Sequence, residues 1–444
     1  MYFRSCALLA CLALGLPAAS AAPFGIYDSR SQGMGGTGVV SADTAVAGFY
    51  NPALVASGES TTRYSILLPT AVARVSDQGE AIAEIDDIQD TFDRLERVSD
   101  AIDTDSVEQA VEEFADGVLA SGWPIDRGAL VVGAVEVLDT LLNTSTAIDT
   151  DAALAALDDL QRQLVELNHD LVELDAFVGL ALARSNPKLG LSLFAGAQAL
   201  ANAQAFYDER DQRILRAIRK SVSLGLPPPV PPEELLRSTV NYRGAVIREI
   251  GLSVARRFDH WSGLTLGISP KAQQIQTFDY VQTVAEADID FDQGRKVYED
   301  VNLDIGAIKE LGEHWRVGLV AKNLIAHDYK TVLGNRLHIK PQVRLGLMYQ
   351  TTEFEVALDL DMVKNDPLGT LDRSTQFVSV GGELSMWDWL KLRAGYRHNM
   401  QNNASSGDVL TAGLGLRLWK FGLDASVMGG SGEYGAGLQL SFGL

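Results

Sequence analysis

The last two hundred residues alternate apolar and polar side chains with period two, in segment after segment. In Leu410 to Leu418 one face carries Leu410, Ala412, Leu414, Leu416 and Leu418, and the other Thr411, Gly413, Gly415 and Arg417. A period of two is that of an extended strand, and one apolar face beside one polar face means two different environments. The pattern recurs from Phe421 to Val427, Ala436 to Leu444, Phe354 to Met362 and Val343 to Tyr349. At about ten residues, each segment has the length that crosses a bilayer at a tilt of about 45°.

A soluble sandwich also alternates, but with strands of about five or six residues and a dry interior. Here the polar face holds full charges, among them Arg393, Arg397, Arg417, Asp359 and Asp424, which a dry core does not accept unpaired. Trp387, Trp389, Tyr396 and Trp419 fall at strand ends, where an interfacial girdle sits. Tight connections such as Trp419-Lys420 alternate with long ones such as His398 to Asp408. The expectation is an all-β transmembrane barrel with lipid outside and water inside. Counting back from the C-terminus gives fourteen antiparallel strands over 61–444, the first at 61–74. The hairpin through Asp175 to Arg184 and the turn Ser185 to Lys188 makes the count even, which puts both ends on the periplasmic side.

The N-terminus fits that destination. Arg4 precedes an apolar run from Cys6 to Leu16, and Pro17-Ala18-Ala19-Ser20-Ala21 ends in small residues at signal-peptidase spacing. We expect residues 1–21 to be a signal peptide, and the location to be the outer membrane of a Gram-negative bacterium. Both cysteines, Cys6 and Cys11, lie in that segment. The mature chain then has no thiol for a disulfide, a metal site or a redox pair.

Two segments interrupt the strand pattern. Residues 77–173 hold 25 Asp and Glu against 4 Arg, so the whole net charge of −21 resides there and the remainder balances. Such a chain repels phosphate backbones, and nucleic acid is not expected as a partner. Ile82, Ile85, Ile88, Phe92 and Leu95, then Leu154, Leu157, Leu160, Leu164, Leu167 and Leu171, recur at helical spacing. This reads as an acidic helical extracellular insertion. Residues 209–239 form a second outer excursion, opening with a basic helical stretch from Arg210 to Lys220 and continuing into Pro227 to Pro232, a stiff spacer. The acidic insertion is expected to cap the barrel, with the basic stretch against it.

Between signal and barrel, residues 22–60 carry Gly33-Met34-Gly35-Gly36-Thr37-Gly38-Val39, then Phe49-Tyr50-Asn51-Pro52-Ala53-Leu54. Asn51 can cap a helix whose first turn begins at Pro52. The glycines let the preceding segment fold tightly in a narrow lumen. This segment resembles the amino-terminal plug of FadL-type long-chain fatty-acid outer-membrane channels, including the Asn-Pro-Ala motif. It is still more similar to the exported proteins called conjugal transfer protein TraF, a branch of that barrel superfamily distinct from the thioredoxin-like protein of the same name. Val320 to Leu324 and Leu390 to Tyr396 look like that family too.

The resemblance implies a plug in the lumen, with Gly33, Gly35, Gly36, Gly38, Asn51, Pro52 and Ala53 as its motif residues. It implies uptake of hydrophobic small molecules that leave the lumen sideways through the wall. The alternative is a conjugal-transfer or surface-assembly component that binds a partner protein through its outer loop. Outer-membrane lipid is the surrounding partner in either case.

Other motifs carry less. Gly33, Gly35 and Gly38 match a dinucleotide fingerprint, but no strand precedes them. Ser185 and Lys188 have a serine–lysine spacing on a predicted turn, without companion motifs. The six histidines are scattered, and the acidic insertion lacks a calcium-loop pattern. No catalytic residue, metal or cofactor is expected.

Overall fold

The computed structural model describes residues 24–57, 64–77, 79–100, 150–224, 235–261, 263–286, 290, 292–365, 374–401 and 407–444. The signal segment 1–21, the proline spacer 227–232 and the middle of the acidic insertion, 101–149, lie outside the described residues. No described helix is long and apolar enough to cross a membrane.

Fourteen antiparallel strands close into a barrel. In chain order they are β1 (Tyr64–Asp77), β2 (Leu171–Arg184), β3 (Gly190–Phe206), β4 (Thr239–Phe258), β5 (Leu264–Thr283), β6 (Lys296–Leu311) and β7 (Trp315–Lys322). A hairpin of β8 (His327–Lys330) and β9 (Arg336–Ile339) follows. The barrel resumes with β10 (Gln342–Gln350), β11 (Phe354–Asp361), β12 (Phe377–Trp387), β13 (Leu390–Asn399), β14 (Val409–Leu418), β15 (Phe421–Gly430) and β16 (Glu433–Gly443). β1 closes the ring by pairing with both β2 and β16. The start of β1 and the C-terminus meet at one rim, where the Tyr64 amide donates to the Leu444 carbonyl.

Alternation sorts the side chains as period two demands. On β14, Leu410 and Leu418 are 68% and 64% exposed on the outer surface, while Thr411 is buried facing inward. Trp387 and Trp389 stack at the end of the β12–β13 hairpin, rings 5.5 Å apart. Apolar side chains left exposed in a band are stable only against lipid.

β2 to β6 run 14 to 20 residues, more than the roughly ten that cross a bilayer. Their overhang needs cover. Two insertion helices, Ala81–Asp100 and Thr150–Glu166, and a basic helix, Glu209–Ser223, supply it. Ile88, Phe92, Leu157, Leu160, Leu215 and Ile218 pack in one cluster with Ala201, Ala205, Tyr242, Phe278 and Tyr280. Those strand residues alternate with the inward-facing Leu200, Ala245, Ile247 and Ile275, so the described helices lie on the outer surface of the wall. For the described helices the expected cap over the mouth gives way to a lateral buttress; residues 101–149, the middle of the insertion, lie outside the described residues. The physical reason is the overhang: an apolar strand face above the lipid stays in water unless something packs on it. Leu171, expected on a helix, instead begins β2 and pairs with Gln204. The basic helix lies against the second insertion helix, where Arg219 pairs with Asp158.

Candidate functional site: the plug and the chamber above it

Residues 24–57 fold inside the barrel and are almost wholly buried. Their core is aromatic. Phe49 meets Phe177 of β2 and Phe194 of β3 edge-on at 5.0 Å each, and Tyr27 meets Tyr50 and Phe177 at 5.1 Å. The Tyr27 amide donates to the Tyr50 hydroxyl at 2.8 Å. Desolvation by burial, then the charge of Glu249, raises the Tyr27 hydroxyl above its usual range, so it stays neutral. Burial also raises the Asp28 carboxyl.

The motif residues are spread along the plug. Gly35 and Gly36 take φ values of +72° and +87°, and a Cβ on Gly35 would lie 2.8 Å from the Val380 and Tyr396 carbonyl oxygens. Only glycine fits that turn against the wall. The Gly35 amide donates to Thr411 Oγ1, which donates in turn to the Gly33 carbonyl. The Gly38 and Val39 amides both donate to Asp359 Oδ2, at 2.8 and 3.0 Å. Asn51 caps a 3₁₀ turn, Pro52–Ala56, by accepting from the Ala53 amide at 3.1 Å. Its Nδ2 donates to the Val39 carbonyl at 3.0 Å, which joins the glycine-rich and Asn-Pro-Ala segments.

Several anchoring residues were not among those motifs. Arg30 pairs with Glu383 at 2.9 Å and Glu355 at 3.0 Å. Glu383 is shared with Lys391 and Arg393, and Arg393 reaches Asp424. Lys322 donates to the Phe49 carbonyl at 2.5 Å and the Tyr27 hydroxyl at 2.9 Å, with its ammonium 4.1 Å from the Tyr27 ring centroid. Arg30 had one legible signal: it is the sole basic residue in 24–57.

Above the plug is a chamber of about 30 Å³, lined by Tyr27, Phe177, Gln198, Lys271, Lys322 and Ile339. Lys271 is paired there with Glu249 and Asp304. On the far side of the same wall, a groove of about 780 Å³ runs across β1 to β6 over Val178, Leu180, Ile250 and Val301. Chamber and groove share Glu249 and Gln273, so one layer of backbone separates them. Among the described residues no three His, Cys, Asp or Glu side chains converge on a point that could hold a metal ion.

The family described as F plasmid transfer operon, TraF, protein matches residues 48–361. The chain belongs to this TraF family. That match covers the last ten described residues of the plug, 48–57, and the barrel through β11. No curated protein sequence matches the TraF-family chain. Among solved structures, it is similar to a deltaS2 mutant of TodX, a monoaromatic hydrocarbon channel, at 10% identity and a TM-score of 0.50, covering 94% of this chain and 99% of that one. It is similar also to the Pseudomonas putida toluene transporter TodX, at 10% identity and 0.48 over 94% and 98%. A Pseudomonas aeruginosa FadL homologue is matched at 12% identity and 0.44 over 95% and 99%. At such identity the likeness is one of fold: this TraF-family chain shares with the deltaS2 TodX channel the architecture of its closed fourteen-strand barrel.

Proposed function

We propose that this chain is a plugged outer-membrane channel that admits a hydrophobic small molecule. The observation that carries the reading is the chamber between plug and wall, separated from an apolar outer groove by the strands holding Glu249 and Gln273. A guest that enters the chamber has a lateral way out toward lipid once the plug shifts. The plug motif residues Gly33, Gly35, Gly36, Gly38, Asn51, Pro52 and Ala53 set that shift, because they fix the segment bearing Tyr27 and Phe49. TodX, which shares the fold, is described as a monoaromatic hydrocarbon channel, and aromatic hydrocarbons are therefore the first guests to try. The role is transport rather than catalysis, in a Gram-negative outer membrane.

The test is uptake of aromatic hydrocarbons and long-chain fatty acids into proteoliposomes. Uptake that exceeds empty liposomes and changes in Asn51→Ala is expected. No uptake, with Asn51→Ala indistinguishable from the parent, sinks the reading.

A second reading has its own support. The family description places its members in a transfer operon, and the first insertion helix exposes Asp86, Asp87, Asp90 and Asp93. A conjugation or surface partner with a basic face fits there. Deleting 79–170 separates the two readings: loss of mating with uptake kept favours the partner role, and the reverse favours transport.

A further inference from the structure

The chamber has a floor and a roof from distant parts of the chain. Tyr27 of the plug is the floor, and the β8–β9 hairpin, which contributes Ile339, is the roof. Each hairpin strand has four residues, too few to hold an isolated two-stranded sheet in place. Its position depends on what it touches. Tyr329, Leu337 and Ile339 pack on the inward faces of β3, β4 and β5 through Leu200, Ile247 and Ile275.

The tip is held differently. Asp279 of β5 accepts from Thr331 Oγ1 at 2.5 Å and Asn335 Nδ2 at 2.8 Å, both on the same carboxylate oxygen. Thr331 and Asn335 flank the turn, whose Gly334 has φ +91°. One wall carboxylate therefore collects both sides of the hairpin tip. The base is fixed separately: Asn302 accepts from the Ile325 amide at 3.1 Å and donates to the Ile325 carbonyl at 3.0 Å. With base and tip held by different groups, release of the tip leaves a pivot.

The chamber volume makes movement a requirement. About 30 Å³ holds a water or two, so an organic guest enters only if floor or roof moves. The plug is anchored along its length by Asp359, Thr411, Glu355, Glu383 and Lys322. At the hairpin tip Asp279 alone takes side-chain hydrogen bonds from both sides of the turn. β6 adds only bonds to the backbone on the first side, from the Tyr298 hydroxyl to the Lys330 carbonyl at 2.6 Å and from Lys296 Nζ to the Thr331 carbonyl at 3.5 Å. We infer that the β8–β9 hairpin is a lid on the chamber and that Asp279 is its latch, so that entry from the mouth remote from the Tyr64–Leu444 rim is set by Asp279 and not by the plug. This deepens the channel reading and rests on it for its biological meaning, but its geometry is tested on its own.

The test uses the full chain in proteoliposomes with Cys6 and Cys11 replaced by Ser and a probe thiol at Gln198→Cys, which faces the chamber. A membrane-impermeant maleimide reports access to it. Losing two hydrogen bonds to a carboxylate should speed labelling about tenfold or more in Asp279→Ala, while Asp279→Asn, which keeps an acceptor, stays within about threefold of the parent. Replacing 327–339 with a short Gly-Ser turn should label at least as fast as Asp279→Ala. Heat-modifiable gel mobility verifies that each barrel is folded. Parent-like labelling in a folded Asp279→Ala overturns the latch, and parent-like labelling without the hairpin overturns the lid. Hydrocarbon uptake is read in parallel. Absent uptake in every variant, with labelling responsive, removes the transport reading and leaves the lid standing.

Discussion

Arg30 of the plug and Glu383 of β12, 353 positions apart in the chain, meet at 2.9 Å inside the barrel. The same guanidinium reaches Glu355 of β11 at 3.0 Å, so one plug side chain bridges two neighbouring strands. Removing one partner of a buried pair costs about 3–5 kcal/mol, because the other is left uncompensated. Arg30→Ala should loosen the plug, raising hydrogen exchange over 24–57 and the single-channel conductance. Arg30→Lys should rescue only partly, since an ammonium lacks the planar fork that reaches both carboxylates. Parent-like exchange in Arg30→Ala would show that the ion pairs do not hold the plug.

Asn51 is 0% exposed and uses both ends of its amide within the plug. Asn51→Ala strands the Val39 carbonyl and the Ala53 amide, at about 1–3 kcal/mol for each buried group left unmade. Gly306 of β6 faces it so closely that a Cβ would overlap Asn51 Oδ1. Gly306→Ala should therefore reproduce the Asn51→Ala phenotype. Residues in contact do not add, so the double variant should be little worse than either single one when plug protection is measured by hydrogen exchange. Fully additive effects would separate the two residues.

Glu84, on the first insertion helix, has its carboxyl raised to about 7, first by burial and then by the charges of Asp170, Glu166, Asp77 and Glu80. A carboxyl whose folded value exceeds its ordinary 4.5 favours the folded form below that ordinary value, and the benefit is lost as pH rises toward 7. Docking of the insertion should weaken between about pH 4.5 and 7, followed as a rising rate of proteolytic nicking of the insertion. Glu84→Gln should flatten the profile across that window. An unchanged slope in Glu84→Gln would assign the effect to the neighbouring acids.

Leu160 of the second insertion helix is fully buried in the cluster that joins the three helices to the wall. Leu160→Ala should destabilise the docked insertion by about 2–5 kcal/mol. Its cluster shares no residue with the plug core, so plug protection and barrel mobility on gels should be unchanged. A loss of plug protection in this variant would reveal coupling through the wall between β2 and β5.

Much of the barrel was legible because a strand between lipid and water writes its environment into alternate residues. Leu410, Thr411 and Arg417 declare their faces without reference to any partner. The helices at 81–100 and 150–166 were legible as periodic leucines and isoleucines, but not their place. An apolar helix face records that it is covered and not by what, and the outward Tyr242, Phe278 and Tyr280 that cover it read on their own strands like ordinary lipid-facing side chains. The β8–β9 hairpin went unread because its apolar residues, Tyr329, Leu337 and Ile339, are too few and too short-ranged to set a period.

The sequence alone determined that this chain closes fourteen strands with a polar face turned inward, because period, strand length and parity are local properties summed along the chain. Which charge meets which is non-local. Arg30 with Glu383, Lys322 with Phe49, and Asp279 with Thr331 and Asn335 become neighbours only after β1 has closed on β16 and brought distant positions to one cross-section. The tertiary structure therefore decided how the plug is pinned, where the helices rest and what roofs the chamber.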